Sequence, residues 1–564
     1  MSQEICTHEG CGRETTRSVS KDGKCLFHCE KNDWFTTDAS GNQDWSKSEF
    51  KVKAFWGVFK QEWTDGKSDF SFSVFPEISA NIDFPSSIVL KKSTGEDVDP
   101  NLSFYGSRFI GTVIFGGYTF WKFVDFSSTT FALDVFFFGV TFVQKASFGN
   151  AKFMQHVDFS DATFKEDASF SSTTFMKAVD FNSSSFKQKA FFNESAFRQG
   201  ANFNDATFHD SVKFRDVRFS GNSTFEATII EDSAWFENCI FDESVSFLDL
   251  SVPALTFHSA TINGHFRIGA NLVAKMKHLE LFQCTFKKDA VVLIDNLIVD
   301  TLSIKHLVCL SPAIKIGSLQ VIKELNINDS MLSGAEMNNV SLENAPIMNI
   351  FNSSLSKTIF NNVKWGNVER MMPDPKTISE NMRSSGVNMR HSSGVYRDTF
   401  RQLKAANEEQ KNYLQANEFY MMEMKAYGEE IAGKPDKRQE RFEFWMGDKL
   451  SNFSNDWVRP IIWFLGLTGI CYLLSFLIYI AGPMNEWQTL WIDHHTYIPS
   501  TGGSFTEFVY FDLREFSNFF AFMNPLETKY QDHNTPALIW IPYKILGGLM
   551  IYQIIISLRR KTRR

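Results

Sequence analysis

Between Phe104 and Phe247 one residue type recurs on a fixed count. Phe104, Phe115, Phe126, Phe137, Phe148, Phe159, Phe170, Phe181, Phe192, Phe203, Phe214, Phe225, Phe236 and Phe247 stand eleven residues apart without a gap. A second series, offset by five, runs Phe109, Phe120, Phe131, Phe142, Phe153, Phe164, Phe175, Phe186, Phe197, Phe208, Phe219, Ile230 and Phe241. A repeat of this size buries its apolar face only against its neighbours, so this stretch must stack upon itself.

An eleven-residue period also fits a right-handed coiled coil. On a helix, however, steps of five and six throw the phenylalanines onto two stripes roughly 140° apart. The residues two before each Phe decide the matter. They are Val113, Val124, Val135, Ala146, Val157, Ala168, Val179, Ala190 and Ala201 in the first series, and Thr129, Ala151, Ala162, Thr173, Ser184 and Ala206 in the second. An apolar or small residue at i−2 and i with polar residues between is strand alternation. The intervening Ser, Asp, Asn and Gly favour turns over helix.

Segments such as Ala168-Ser-Phe170-Ser-Ser-Thr-Thr-Phe175 and Ala201-Asn-Phe203-Asn-Asp-Ala-Thr-Phe208 resemble the pentapeptide repeat family. The resemblance implies a mainly β fold: a right-handed, four-sided β-helix with each Phe and its small partner pointing inward. Five plus six, taken twice, then closes one coil. At ~4.8 Å between stacked strands the Phe-rich stretch spans roughly 31 Å. Beyond Phe247 the Phe count fails but alternation persists at Leu255/Phe257, Cys284/Phe286, Leu302/Ile304 and Ile314/Ile316. A five-residue period returns at Ile327, Leu332, Met337, Leu342 and Ile347, with Leu325, Ala335, Val340 and Ala345 two before, then resumes at Leu355, Phe360 and Trp365. The β-helix is therefore expected over 69–365, with a polar insertion at 93–101.

Ahead of it, residues 1–30 carry Cys6-x4-Cys11 and Cys25-x2-His28, with His8 and Cys29 close by. Two close ligand pairs separated by a loop suit tetrahedral zinc. Similar Cys/His heads precede many bacterial pentapeptide repeat proteins, which supports Cys6, Cys11, Cys25 and His28 as the ligands of a structural zinc. The head is too short for a core of its own, so the metal supplies its folding energy. With four protein ligands no position is left for catalysis. No charged-then-apolar signal segment opens the chain, and its N-terminal part is expected in the cytosol with thiols reduced. Residues 48–66 are predicted to form an amphipathic helix with Phe50, Ala54, Val58 and Phe59 inward, widened by Phe55 and Trp56, capping the open coil edge.

Residues 366–395 read as a linker and 396–456 as cytosolic helices, with Tyr396, Phe400, Leu403, Ala406, Tyr413, Ala416, Tyr420, Met424 and Tyr427 as a packing stripe and Lys411-Asn412 as a hairpin turn. Two spans of membrane length follow, 461–481 without a charge and 537–558 containing Lys544 and Gln553. Lys434, Lys437, Arg438, Arg441, Lys449 and Arg459 precede the first, and the tail 559–564 is basic. The segment 482–536 between them holds seven acids against Arg514 and Lys529. This bias predicts a multi-pass protein of the bacterial inner membrane with both termini cytosolic. Within 482–536, Ser504-Phe-Thr-Glu507 opens a capping box for an amphipathic helix over 504–523. Span, short helix, span is the plan of two-transmembrane channels, although no Thr-Val-Gly-Tyr-Gly filter is present. Lys544, Gly547, Gly548 and Gln553 are the candidate pore-lining residues, with snorkelling of Lys544 as the plainer reading.

The sequence holds no nucleophile elbow, phosphate loop or paired catalytic carboxylates, so no enzyme is expected. A net charge of −8 argues against nucleic acid as a partner. The first functional reading is an oligomeric channel-like effector with a cytosolic sensing solenoid. The second is a membrane-anchored scaffold for a protein partner. The third is a DNA mimic, which the eighteen acids and twelve Lys/Arg of residues 101–250 make a mild imitation at best.

Overall fold

The computed structural model describes residues 24–39, 43–65, 67–77, 101–310, 314–371, 392–432, 434–453, 456–481 and 537–562. The chain divides into two compact units, Met1–Asp374 and Pro375–Arg564. The first is a parallel β-solenoid of about 12 turns, and the second is helical.

Strands in the regular half are two residues long as far as Phe208, as at Val135–Phe136, and each pairs in parallel with the strand one coil further on, here Val157–Asp158. Each Phe thereby lies on the Phe of the next coil, and both series are buried from Phe104 to Phe247. Four columns fill the lumen. Along one column Phe126, Phe148 and Phe170 stack at 5.2 and 5.0 Å with rings 11° and 1° from parallel. Across columns the rings meet edge to face, as Phe159 and Phe170 do at 5.5 Å and 83°. Strand spacing of about 4.8 Å exceeds ring thickness, so the rings tilt into an offset stack, the arrangement their quadrupoles favour.

The two series turn their corners differently. After each first-series Phe from Phe104 to Phe203 the chain makes a tight turn closed by a hydrogen bond, as where Ser107 N–H donates to Phe104 O at 3.1 Å. The third residue of that turn is left-handed: Gly106, Gly117 and Gly139, but also Ser128, Asn150, Asp161, Ser172, Ser183, Glu194, Asp205, Asp216 and Ala227. Positive φ there makes these type II turns, which glycine and asparagine tolerate best. No described residue at the equivalent place after the second series is left-handed through residue 249. The small inward residues also satisfy backbone. Thr129, Thr173 and Thr228 donate to the carbonyls of Phe104, Phe148 and Phe203, in the preceding coil, at 2.7, 2.6 and 2.8 Å.

From Phe236 onward the coils change length, first shortening by one residue where Phe257 lies on Phe236 and Ile268 on Phe247. Phe257 lies on Leu281, and Ile268 on Ile294, so both coils are longer than those that stack Phe on Phe. The excess leaves at a bulge between Gly269 and Ala274, where Leu272 and Val273 project into solvent. Strands lengthen to 17 residues at Phe266–Phe282 and 15 at Ile314–Asn328. The expected inward position Ile347 is a correction: it is exposed, and Met348 and Ile350 are buried on Leu325 and Ile327. Pro346 has no N–H for the coil, and the inward pair is deferred past it. The expected insertion at 93–101 lies outside the described residues except for Asn101.

Both ends of the solenoid are covered. Helix α1 (Glu49–Thr64) sets Phe59 over Phe70 at 4.3 Å and Phe104 at 6.4 Å, and Phe55 against Phe75 at 5.7 Å. Its buried face is Val52, Phe55, Trp56 and Phe59; Phe50 (85% exposed), Ala54 and Val58 face solvent, correcting the expected stripe. Steps of three, one and three hold one helix face at about 100° per residue, whereas 50, 54 and 58 lie on the opposite side. At the far end Trp365, Val368 and Met371 are buried, so the start of the expected linker belongs to the solenoid.

In the second unit, α2 (Ser392–Glu409) and α3 (Tyr413–Ile431) form a helical hairpin. Lys411 is left-handed, and Asn412 caps α3 by accepting from Gln415 N–H at 3.4 Å. Phe400, Leu403 and Ala406 are buried with Ala416, Phe419, Met422 and Ala426. Tyr413, Tyr420, Met424 and Tyr427 of the expected stripe are only half-buried, because α3 turns the 416–419–422–426 face inward. Helix α4 (Arg438–Ser451) ends at left-handed Asn452, where Phe453 N–H donates to Gly447 O at 2.9 Å in a Schellman closure. Helices α5 (Val458–Ala481) and α6 (Ala537–Thr562) follow.

Candidate functional site

Two places carry candidate chemistry, one in each unit. In the first, Cys25 to Cys29 form a single tight turn, with His28 and Cys29 N–H groups donating to Cys25 O at 3.1 and 3.0 Å. The turn brings Cys25 Sγ to 3.2 Å from His28 Nδ1, both buried. Zinc bonds of the usual length at a tetrahedral angle separate such a pair by about 3.6 Å, so a few tenths of an ångström convert this contact into half a zinc shell. Cys6 and Cys11, the other expected ligands, lie outside the described residues, among which no three His, Cys, Asp or Glu gather as a metal shell. Of the expected ligand set the described residues bring together Cys25 and His28, in a pair whose chemistry and separation fit zinc.

This turn is joined to the solenoid. Phe27 packs on Phe55 and Phe70 at 5.1 and 5.6 Å, and its carbonyl accepts from Val74 N–H at 2.7 Å. Arg108 pairs with Glu30 at 3.0 Å. Sequence reading missed Lys31, which is fully buried. Its Nζ donates to Cys29 O at 3.0 Å and lies 5.4 and 5.0 Å from the Trp34 and Phe55 ring centres. Burial pushes this ammonium down to about 8, against the pull of Cys29, Cys25 and Glu30. The buried Phe27, between Cys25 and His28, and Trp34, just beyond them, were the sequence signal for a packed turn here.

The solenoid cysteines are of another kind. Cys239 and Cys284 occupy the inward position of Thr129, and their thiols reach Phe214 O at 3.3 Å and Phe257 O at 3.4 Å. Burial pushes Cys239 upward and Cys284 up to about 12, which keeps both as inert thiols. The ten core positions from Phe104 to Phe203 are buried and fill the lumen.

In the second unit α5 and α6 run antiparallel. Thr468 Oγ1 and Tyr543 OH are 3.2 Å apart, Phe464 stacks on Tyr543 at 6.5 Å, and Ser451 Oγ donates to Gln553 Oε1 at 3.1 Å. Tyr543, Gly547, Met550 and Ser557 form the buried face of α6, while Ile541, Ile545, Tyr552 and Ile555 are exposed. Of the pore-lining candidates, Gly547 is buried, Gln553 is held by Ser451, and Lys544 and Gly548 are half-buried. Ile541–Arg559 is long and apolar enough to cross a membrane; the described apolar part of α5, Val458–Cys471, is shorter. The amphipathic helix expected at 504–523 lies outside the described residues.

The family model for pentapeptide repeats matches residues 126–174, 170–218 and 203–249. Neither the curated proteins nor the solved structures compared with the chain gave a match. The matched residues lie in the regular half, where Phe stacks on Phe in coils of constant length. Residues 126–249 of this solenoid are thus similar to the pentapeptide repeat family, over the stretch its family model matches.

Proposed function

We propose that this chain is a non-enzymatic protein-interaction scaffold anchored in a bacterial inner membrane by its C-terminal helical hairpin, with both termini cytosolic. A pentapeptide-repeat solenoid supports a protein-interaction scaffold. The observation that carries the reading is the filled lumen: among the described residues four columns of buried side chains occupy it, and the outer faces are left to meet a partner. Cys6, Cys11, Cys25 and His28 hold one structural zinc, which ties the N-terminal cover to α1 and the first coil. Zinc supplies folding energy there and no reaction. A cysteine placed at Ser504 then reacts with an impermeant thiol reagent in intact cells and one placed at Ser40 does not; the opposite pattern overturns the anchoring. Metal analysis finds one zinc per chain, and Cys25→Ser loses it; metal-free protein purified without chelator removes the zinc.

A second reading, an oligomeric channel-like effector, rests on Lys544 lying half-buried in the apolar helix. In that case Lys544→Glu shifts reversal potentials toward cations in reconstituted bilayers. Bilayers that stay silent across voltage leave the scaffold.

A further inference from the structure

Helix α4 presents one stripe to solvent. Arg438, Phe442, Trp445 and Lys449 follow at i, i+4, i+7 and i+11, which places them on a single helix face, and all four are at least partly exposed. Phe442 and Trp445, 58% and 54% exposed, stack on each other at 6.1 Å and 21°. The other side of the helix is turned toward its own unit, where Phe444 packs on Phe453 at 5.1 Å, Tyr427 OH donates to Glu440 and Ser451 reaches Gln553. The helix's acids are engaged: Glu440 lies 2.8 Å from Lys437, Glu443 accepts from Gln439 at 2.9 Å, and Asp448 lies 3.2 Å from Lys449.

The stripe continues into the hairpin. Trp463 Nε1 donates to Lys449 O at 3.1 Å, which ties the end of α4 to the first turns of α5. Trp457, Val458, Ile462 and Trp463 are exposed there beside Arg459. Antiparallel pairing brings exposed Arg559 of α6 to this same end. Basic residues from three helices thus gather around four exposed aromatics, where the apolar helices begin and end.

We propose that the Arg438–Phe442–Trp445–Lys449 face of α4 is a binding site for anionic lipid. The helix lies in the membrane interface, the stacked aromatics enter the acyl boundary, and the basic side chains at either end reach headgroup phosphates. Basic–aromatic–basic order along one face matches the polarity of an anionic bilayer surface, and its continuity with the exposed apolar residues of α5 sets the helix at interface depth. The inference rests on the hairpin reading of α5 and α6.

The test is hydrogen exchange of the peptide covering 438–451 in the full chain. The chain is reconstituted in phosphatidylcholine vesicles with and without about one-third phosphatidylglycerol, and carbonate-resistant association is measured in parallel. Exchange slows about tenfold or more when phosphatidylglycerol is present. Arg438→Gln with Lys449→Gln removes that difference, and Trp445→Ser weakens it, while carbonate resistance is unchanged. Equal exchange in both vesicles with the chain inserted overturns the lipid site and leaves the hairpin standing. Equal protection in lipid-free detergent assigns the stripe to a protein partner and overturns it as well. A chain that washes off the vesicles in carbonate overturns the hairpin, and this site with it.

Discussion

The two halves of the solenoid solve the same stacking problem under different tolerances. From Phe104 to Phe247 a planar ring lies on a planar ring at nearly constant spacing, as at Phe164, Phe186 and Phe208, 4.7 Å apart at 2°. Every coil in this stretch keeps the same length, and at its far end Phe257, arriving one residue early, still stacks on Phe236 at 4.9 Å and 12°. From Phe266 onward Leu, Ile, Val and Met fill the columns. Branched aliphatic chains pack in many relative positions, and coil length varies there, shorter where Ile316 lies on Met337 and longer where Ile268 lies on Ile294. Ring stacking goes with a constant period; aliphatic packing only requires that the lumen be filled.

The largest effect should come from emptying a ring position. Phe170 is fully buried between Phe148 and Phe192, at 5.0 and 5.1 Å. Phe170→Ala should cost about 3–5 kcal/mol in denaturant unfolding, whereas Lys177→Ala, on the outer face, should change stability by about 0.5 kcal/mol or less. Equal costs at the two positions would break the inward assignment itself.

Insertion separates the halves more sharply. One glycine added after Leu272 lengthens an exposed bulge and should cost about 0.5 kcal/mol or less. One added after Ser172 opens the turn that Thr173 N–H closes onto Phe170 O at 3.1 Å and displaces the Thr173 hydroxyl from Phe148 O. The loss there should be about 2 kcal/mol or more. Similar melting shifts for both insertions would show that ring stacking does not hold the period.

The smallest effect has the opposite sign. Ala227 sits at φ 53° in the turn after Phe225, a conformation alanine adopts at a cost that glycine avoids. Ala227→Gly should raise stability by about 0.5–1 kcal/mol, while the same change at Ala206, an inward position with ordinary φ, should lower it. Destabilisation at both sites would mean that the left-handed turns carry no strain.

What the sequence determined by itself is the solenoid and which side chains fill it. One residue type on a strict count marks inward positions locally, and the residue two before it marks the strand, so Phe104 through Phe247 could be placed without knowing any partner. The α2–α3 turn was legible for the same reason, Lys411-Asn412 breaking a local period. Tertiary structure decided what depends on residues distant along the chain. Thr129 and Cys239 serve the same purpose only because each meets a carbonyl of the preceding coil. Lys31 is buried because α1 and Trp34 close over it, and Val52 rather than Phe50 faces the coil because the first turn of the solenoid sits on that side. Thr468 meets Tyr543 and Ser451 meets Gln553 across 75 and 102 residues of sequence, contacts no local pattern encodes. Periodicity writes the direction of a side chain into its immediate neighbours, whereas the identity of what it touches is set only when the chain returns.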